Sequence, residues 1–256
     1  MYSDLVNKVS NSAIAKVDTL KRSRAQYIIS SILAGIYVGF GVFLIMSIGG
    51  SLQGAPTTKV IMGASFGVAL SLVVMAGSEL FTGNNFVMVV GAMEKKVSWL
   101  DSLKIWMYSF TGNFAGSILI AFLYFRTGLA KGAVADFIVK VSSAKMNAPT
   151  MELFFRGILC NILVCLAVLC YIKLKDETAK LIMIFWCLFA FITSGFEHSI
   201  ANMSLLTMGL FLPHDSAVSL AGMAHNLIPV TIGNFIGGGL FLGLAYWYKG
   251  HKRQES

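Results

Sequence analysis

Three residues that can handle a proton or an anion lie close together in the stretch SGFEHSIANM, residues 194–203. Glu197 and His198 are ionisable and Asn202 carries an amide, yet the surrounding apolar run begins at Leu181. An ionisable side chain inside a long apolar segment is costly and usually marks a pathway for ions or protons. An imidazole ordinarily titrates near neutral pH, so His198 is the first candidate for offering a charge or a proton. The stretch therefore predicts a polar break that faces a pathway.

The composition of the chain is that of an integral membrane protein. Of its 256 residues, 56% are apolar and only 12% are charged, and the mean hydropathy is +0.74. An ordinary soluble domain carries about 25% charged residues. The opening segment is polar and amphipathic and lacks a short apolar core with a cleavage site, so no removable signal peptide is expected.

Six regions have the apolar length needed to cross a bilayer, about 20 residues for a helix. The second and the fifth are too long for one span, and glycine or polar residues interrupt each near its centre. We predict that each of these two forms a pair of half-helices. The predicted spans are 27–48, 60–90, 103–125, 153–171, 181–210 and 227–248.

The positive charges predict the orientation in the membrane. Six crossings place both termini on one side, and most of the 20 Lys and Arg residues fall on that side. Because cytoplasmic loops carry the excess of Lys and Arg, the amphipathic N-terminal segment 1–26 and the tail 249–256 are expected to be cytoplasmic, at the cell (inner) membrane. The net charge of +8 follows mainly from this bias. Nucleic-acid binding is disfavoured, since no basic run is interleaved with exposed aromatic residues.

The polar stretch has a counterpart in the second span, with the shared pattern G-x-E-x-x-x-x-N. Matches in the same order, about 120 residues apart, indicate a repeat of three spans covering about 27–125 and 153–248. An odd number of spans inverts the second copy in the membrane, so the two broken helices are expected to meet near the midplane. The matched segments are GSELFTGNN (77–85) with GFEHSIANM (195–203), ILAGI (32–36) with ILCNI (158–162), and GNFAGS (112–117) with GNFIGG (233–238).

Several polar or reactive residues have plainer interpretations than a role in chemistry. The four cysteines lie in apolar spans without a C-x-x-C pair, which favours small core residues over a metal site, and no metal or cofactor is expected. Asn113 and Asn234 either hydrogen-bond between packed helices or brace the broken segments. Glu197 has a counterpart in Glu79, which favours a bracing role for both. The cysteines are Cys160, Cys165, Cys170 and Cys187.

With these motifs the sequence resembles the formate/nitrite transporter family over essentially its whole length, and most of all its hydrosulfide-channel branch. The motifs are GSELFTGN, GFEHSIANM, AKM followed by GILCNILVCLAV, and TIGNFIGGGL. The resemblance implies an all-α, aquaporin-like protomer with one pore, in a homopentamer. The chain has no Asn-Pro-Ala triplet, which argues separately against an ordinary water channel.

The resemblance also implies roles for individual residues of the pore. It places Thr82 opposite His198, with Phe81 in the same loop. It makes Lys145 a vestibule lysine, Asn161 a pore-facing amide, and five apolar residues, Phe81 among them, the constrictions. The outer constriction is assigned to Phe66 and Phe191, and the inner one to Leu70 and Leu80.

The predicted function is a membrane channel for small monovalent anions, with hydrosulfide first and formate or nitrite next. A proton-coupled formate/nitrite carrier is the alternative, since His198 could relay a proton. A membrane-embedded enzyme is disfavoured because the chain has no H-E-x-x-H motif and only one histidine expected in the membrane interior, and a receptor leaves the paired breaks unexplained. The N-terminal segment is predicted to be an interfacial helix, with a lid as a second possibility.

Overall fold

The backbone of an apolar span must satisfy its own hydrogen bonds, and the protein does so with helices almost throughout. A computed structural model describes residues 2–251; the part of the predicted tail at 252–256 lies outside the described residues. The first half contains α1 (Tyr2–Arg22), α2 (Arg24–Ser51), α3 (Thr58–Ser65), α4 (Gly67–Met75), α5 (Phe81–Met93) and α6 (Trp99–Arg126).

The second half repeats this order with two differences: the first part of its broken span is one continuous helix where the first half has α3 and α4, and its last span is not α-helical throughout. Its last span begins as an α-helix, widens into a π-helical segment and returns to α-helix. The elements are α7 (Ala133–Met146), α8 (Thr150–Lys173), α9 (Glu177–Ser194), α10 (Ser199–Phe211), α11 (Leu220–Phe235), the π-helical segment (Ile236–Leu244) and α12 (Ala245–His251).

Six helical stretches within residues 2–251 are long and apolar enough to span a membrane. The predicted second span corresponds to α3, α4 and α5, and the predicted fifth span to α9 and α10. The all-helical fold with six spans, two of them broken, is therefore confirmed. The candidate spans are Arg24–Ser51, Thr58–Met75, Trp99–Arg126, Thr150–Lys173, Glu177–Ser194 and Leu220–Gly250.

Each broken span turns at a glycine with positive φ. Gly77 has φ +73° and Gly195 has φ +77°, a left-handed conformation that glycine adopts without the steric cost of a Cβ. Three residues after each of these glycines the backbone enters a helix again. Leu80 precedes α5, and His198 precedes α10. The two breaks thus have the same local geometry, as the repeat predicts.

A single asparagine braces each break. Asn113 of α6 donates to the carbonyls of Ser31 (2.7 Å) and Glu79 (2.9 Å), and its Oδ1 accepts the N–H of Phe81 (2.9 Å). The bonds to Glu79 and Phe81 satisfy backbone groups that the interrupted helix leaves without partners, and the bond to Ser31 ties α6 to α2.

Asn234 of α11 makes the same three bonds in the second repeat. It donates to the carbonyls of Gly157 (2.8 Å) and Glu197 (2.9 Å) and accepts the N–H of Ser199 (2.9 Å). The sequence left two roles open, and each asparagine performs both: one bond joins packed helices and two bonds brace the break.

Close helix packing brings these asparagines to the breaks. A Cβ on Gly116 would lie 2.0 Å from the carbonyl oxygen of Ile32, and one on Gly237 would lie 2.2 Å from that of Ile158. Only glycine permits this approach of α6 to α2 and of the π-helical segment to α8.

Protein covers the apolar face of α1. Its buried residues form one cluster with residues of α5 such as Phe86 and Met88. The interfacial helix predicted from the sequence would lay this face on lipid, whereas the structure packs it against the bundle. The buried apolar residues of α1 are Leu5, Val6, Val9, Ala13, Val17 and Leu20.

We expect Asn234→Ala to destabilise the fold by about 2 kcal/mol or more, because it strips two buried backbone groups at the break, the carbonyl of Glu197 and the N–H of Ser199, of partners at about 1–3 kcal/mol each. Asn113→Ala should behave alike at the other break. The measurement is reversible unfolding in mixed micelles, with Thr111→Ala on the exposed side of α6 as the control, expected within about 0.5 kcal/mol of the parent. If Asn234→Ala were as stable as this control, the bracing role would be wrong.

Candidate functional site: a pore between the two breaks

His198 stands at the point where the two breaks meet. Its Nδ1 accepts the backbone N–H of Ala201 at 3.1 Å, which caps the N-terminus of α10. Its Nε2 lies 3.0 Å from the hydroxyl oxygen of Thr82, at the start of α5. Because Nδ1 accepts a hydrogen bond, the neutral ring carries its proton on Nε2 and donates to Thr82. A second proton would have to sit on Nδ1 and would displace the cap.

Apolar side chains close a small space around this imidazole, which we call the central chamber. Its volume is about 10 Å³, close to the minimum needed to hold one water molecule. Phe66 and Phe191 meet edge to face on one side, with ring centroids 5.6 Å apart. Leu70 and Leu80 line the other side.

We call Phe66 with Phe191, and Leu70 with Leu80, the two apolar pairs. A wider cavity opens beyond each of them. The Lys145 vestibule, which Phe66 and Phe191 separate from the chamber, has a volume of about 490 Å³. The Lys16 vestibule, which Leu70 and Leu80 separate from the chamber, has a volume of about 330 Å³.

The two vestibules lie at opposite ends of the protein. Lys145 comes just before α8, whereas Tyr171, near the end of α8, lines the Lys16 vestibule. The 24 residues of α8 span about 36 Å. The vestibules and the chamber between them therefore form one line along the length of the spans.

A buried ion pair anchors the Lys145 vestibule. The ammonium of Lys145 lies 2.7 Å from both carboxylate oxygens of Glu197, whose side chain is only 4% exposed. Asn202 donates to Glu197 (2.6 Å) and to Oδ1 of Asn226 (2.8 Å), and Asn226 donates to the carbonyl of Lys145 (3.0 Å). The bonds form a closed ring, so the position of the lysine is fixed.

The Lys16 vestibule repeats this arrangement with other elements. Lys16 of α1 lies 2.9 and 2.8 Å from the two oxygens of Glu79. Glu79 also accepts the hydroxyl of Tyr27 (2.9 Å) and the amide of Asn84 (3.2 Å). Asn84 and Asn202 occupy the same place in the shared pattern, which extends the repeat to the ion pairs.

Sequence reasoning missed Lys16. A buried carboxylate needs a positive partner, so the predicted position of Glu79 in a break was a signal that some cation must reach it. The repeat as drawn from the sequence begins at residue 27, however, and α1 lies outside it. Similarly, α7, which carries Lys145, was not predicted as a helix.

Two other residues implied by the resemblance lie behind the pore wall. Asn161 donates to the carbonyls of Thr82 (3.2 Å) and Asn234 (2.6 Å), and so links the loop of one repeat to the brace of the other. Phe81 packs edge to face on Phe110, with centroids 5.2 Å apart. Neither lines the chamber or the two vestibules.

Comparison with known proteins identifies the group to which this pore belongs. Residues 3–248 match the family model described as formate/nitrite transporter. The chain belongs to the formate/nitrite transporter family. It is 43% identical to "Nitrite transporter NirC" of Escherichia coli (strain K12) over 97% of this chain and 92% of that protein. The matched family and this relative are described as transporters. This family member is therefore a membrane transport protein and not an enzyme.

Solved structures support the same conclusion. A chain described as "FNT family ion channel" superposes with a TM-score of 0.92 at 40% identity, over 96% of this chain and 98% of that one. A second, "Pentameric formate channel with formate bound", has a TM-score of 0.80 at 29% identity, over 90% and 98% of the two chains. The fold of this family member is therefore that of the formate/nitrite transporter channels.

We expect His198→Asn to preserve the stability of the protein and His198→Ala to lower it by about 1 kcal/mol, because asparagine caps a helix and alanine does not. Both variants should change anion flux, since both remove the Nε2 donor at the chamber. Thermal unfolding in detergent and flux into liposomes provide the two readouts. Equal stability of the two variants would show that the imidazole does not act as the cap.

Proposed function

We propose that this protein is a passive channel for small monovalent anions, with hydrosulfide as its first substrate. The observation that carries the proposal is the central chamber, which has room for about one water-sized particle. Hydrosulfide has one heavy atom, whereas formate and nitrite have three, so it requires the least widening of the apolar pairs. Nitrite is the second candidate, supported by the 43% identity to a nitrite transporter.

The charges of the vestibules favour anions. A bare anion in an apolar passage costs several kcal/mol. Lys145 and Lys16 are paired with Glu197 and Glu79, so the exposed Lys59 and Lys140 of the Lys145 vestibule would raise the anion concentration at that end. At the centre, His198 lines the chamber, and its Nε2–H, which donates to the Thr82 hydroxyl 3.0 Å away, can turn toward a passing anion. The helix N-termini of α5 and α10 add positive potential there.

The cap on α10 favours a channel over a proton-coupled carrier. A proton relay through His198 would place a proton on Nδ1, which already accepts the N–H of Ala201. Each transport cycle would then break the hydrogen bond that caps the N-terminus of α10. A neutral imidazole that only donates a hydrogen bond avoids this cost.

We further propose a homopentamer in the cell (inner) membrane, with both termini cytoplasmic and the Lys145 vestibule outside. The similarity to a pentameric formate channel supports the assembly. The excess of Lys and Arg on the side of the termini supports the orientation.

Flux into liposomes tests the function. Hydrosulfide, nitrite and formate are compared at equal gradients, with protein-free liposomes as the background for neutral acids. We expect hydrosulfide to be fastest and the rate to be unaffected when an ionophore collapses the pH gradient. A rate that requires the pH gradient would favour the carrier, and no flux above background for any anion would overturn the proposal.

We expect Leu80→Ala to raise the permeability to propionate relative to formate at least tenfold, because it widens the apolar pair next to the chamber. Relative rates of liposome swelling measure the ratio. Leu206→Ala is the matched control, since Leu206 is fully buried and lines none of the three cavities. An unchanged ratio in Leu80→Ala would remove Leu80 from the size filter.

Lys145→Gln should slow the uptake of anions more at low salt than at high salt, because it leaves the carboxylate of Glu197 without its positive partner and this uncompensated negative charge acts on anions through a screened field. Lys131→Gln removes an exposed charge from the loop between α6 and α7 and serves as the control. Rates are compared at ionic strengths of about 10 and 500 mM, where the Debye length changes several-fold. Equal slowing of Lys145→Gln at both would contradict this electrostatic effect.

A further inference from the structure

The Lys145 vestibule is far larger than the anions that the pore is proposed to pass. Its volume of about 490 Å³ compares with about 10 Å³ for the central chamber, and it falls within the range of about 300–1,000 Å³ typical of small-molecule sites. Phe66 and Phe191 narrow its floor. An organic molecule can therefore occupy the vestibule but cannot pass into the chamber.

The wall of the vestibule is mainly apolar. Side chains from α2, α3, α7, α9, α10 and the segment between α9 and α10 surround the space, which extends from the protein surface to the phenyl rings at the floor. Such a wall with a few polar groups is typical of sites for organic ligands. The apolar wall includes Val42, Ile45, Met46, Met62, Phe137, Val141, Ile192 and Phe196.

The charged groups of the wall are all positive. Lys59, Lys140 and Lys145 line the vestibule, and among the described residues that line it there is no Asp or Glu. Glu197 holds Lys145 in an ion pair. Lys59 and Lys140 are exposed, and no described Asp or Glu forms a salt bridge with either. These two cations are available to a ligand.

We propose that the Lys145 vestibule is a binding site for organic monocarboxylates with an apolar body. The carboxylate pairs with Lys59 or Lys140, and the body lies against the apolar wall above Phe66 and Phe191. The Lys16 vestibule suits such a ligand less well, because it is smaller and the carboxylate of Glu79 lines it. A bound ligand also blocks small anions, and this consequence alone rests on the proposed function.

Calorimetric titration of the purified, detergent-solubilised protein with 4-phenylbutanoate tests the site. Butanoate keeps the charge without the ring, and 4-phenylbutan-1-ol keeps the ring without the charge. We expect each to bind at least tenfold more weakly than 4-phenylbutanoate. If the alcohol bound as tightly, partition into the micelle would explain the signal, and if butanoate bound as tightly, the apolar wall would contribute nothing; either result would overturn the proposal.

Charge variants locate the site within the protein. We expect Lys140→Gln and Lys59→Gln together to weaken binding of 4-phenylbutanoate at least fivefold. Lys131→Gln, an exposed lysine that does not line the vestibule, should leave it unchanged. All three positions are exposed, so the variants are expected to fold. Equal affinity in the double variant and the parent would place the ligand elsewhere and overturn the proposal.

Liposome flux separates this site from the proposed function. We expect 4-phenylbutanoate to inhibit hydrosulfide or nitrite flux in the parent, and less in the double variant. Flux without any binding of 4-phenylbutanoate would overturn the site and leave the channel function intact. Binding with the expected pattern in a protein that passes no anion would overturn the channel function and leave the site.

Discussion

Two asparagine side chains make the broken helices of this protein possible. Within a membrane an interrupted helix exposes backbone groups that no water can satisfy. Asn113 and Asn234 each satisfy two of these groups, one carbonyl and one N–H, and donate a third bond to a carbonyl of a neighbouring helix. The breaks at Gly77 and Gly195 can then persist beside the pore, where they present His198 and Thr82. The central chamber depends on these six hydrogen bonds.

The same constraint governs the charges. Each break contains a glutamate, and a buried carboxylate is stable only when it is paired. Lys16 and Lys145 provide the pairs from helices that precede each repeat. These lysines also line the two vestibules, but each is neutralised by its glutamate, so their main contribution is to stabilise the breaks.

The inverted repeat makes the two halves of the protein nearly symmetric. The pore is formed at positions where the two repeats carry different residues. Leu80 and His198 occupy equivalent positions before α5 and α10, yet one forms part of an apolar pair and the other donates a hydrogen bond at the centre. Gly35 and Asn161 are likewise equivalent. A Cβ at Gly35 would lie 2.2 Å from the carbonyl oxygen of Asn113, whereas Asn161 reaches across to Thr82. The residue differences between the repeats make the passage asymmetric.

The sequence by itself determined the membrane class, the six spans, the two breaks and the repeat. Each of these follows from local hydropathy or from spacing along the chain, and the apolar context of Glu197 and His198 identified them as pathway candidates. The family resemblance added the apolar pairs and Lys145, which composition alone would treat as ordinary residues. Only the tertiary structure showed that Lys16 reaches Glu79, that α1 packs on α5, that Asn161 holds the Thr82 loop, and that the vestibules differ in size. These features depend on contacts between segments far apart in the chain, and no local pattern encodes which distant residue completes them.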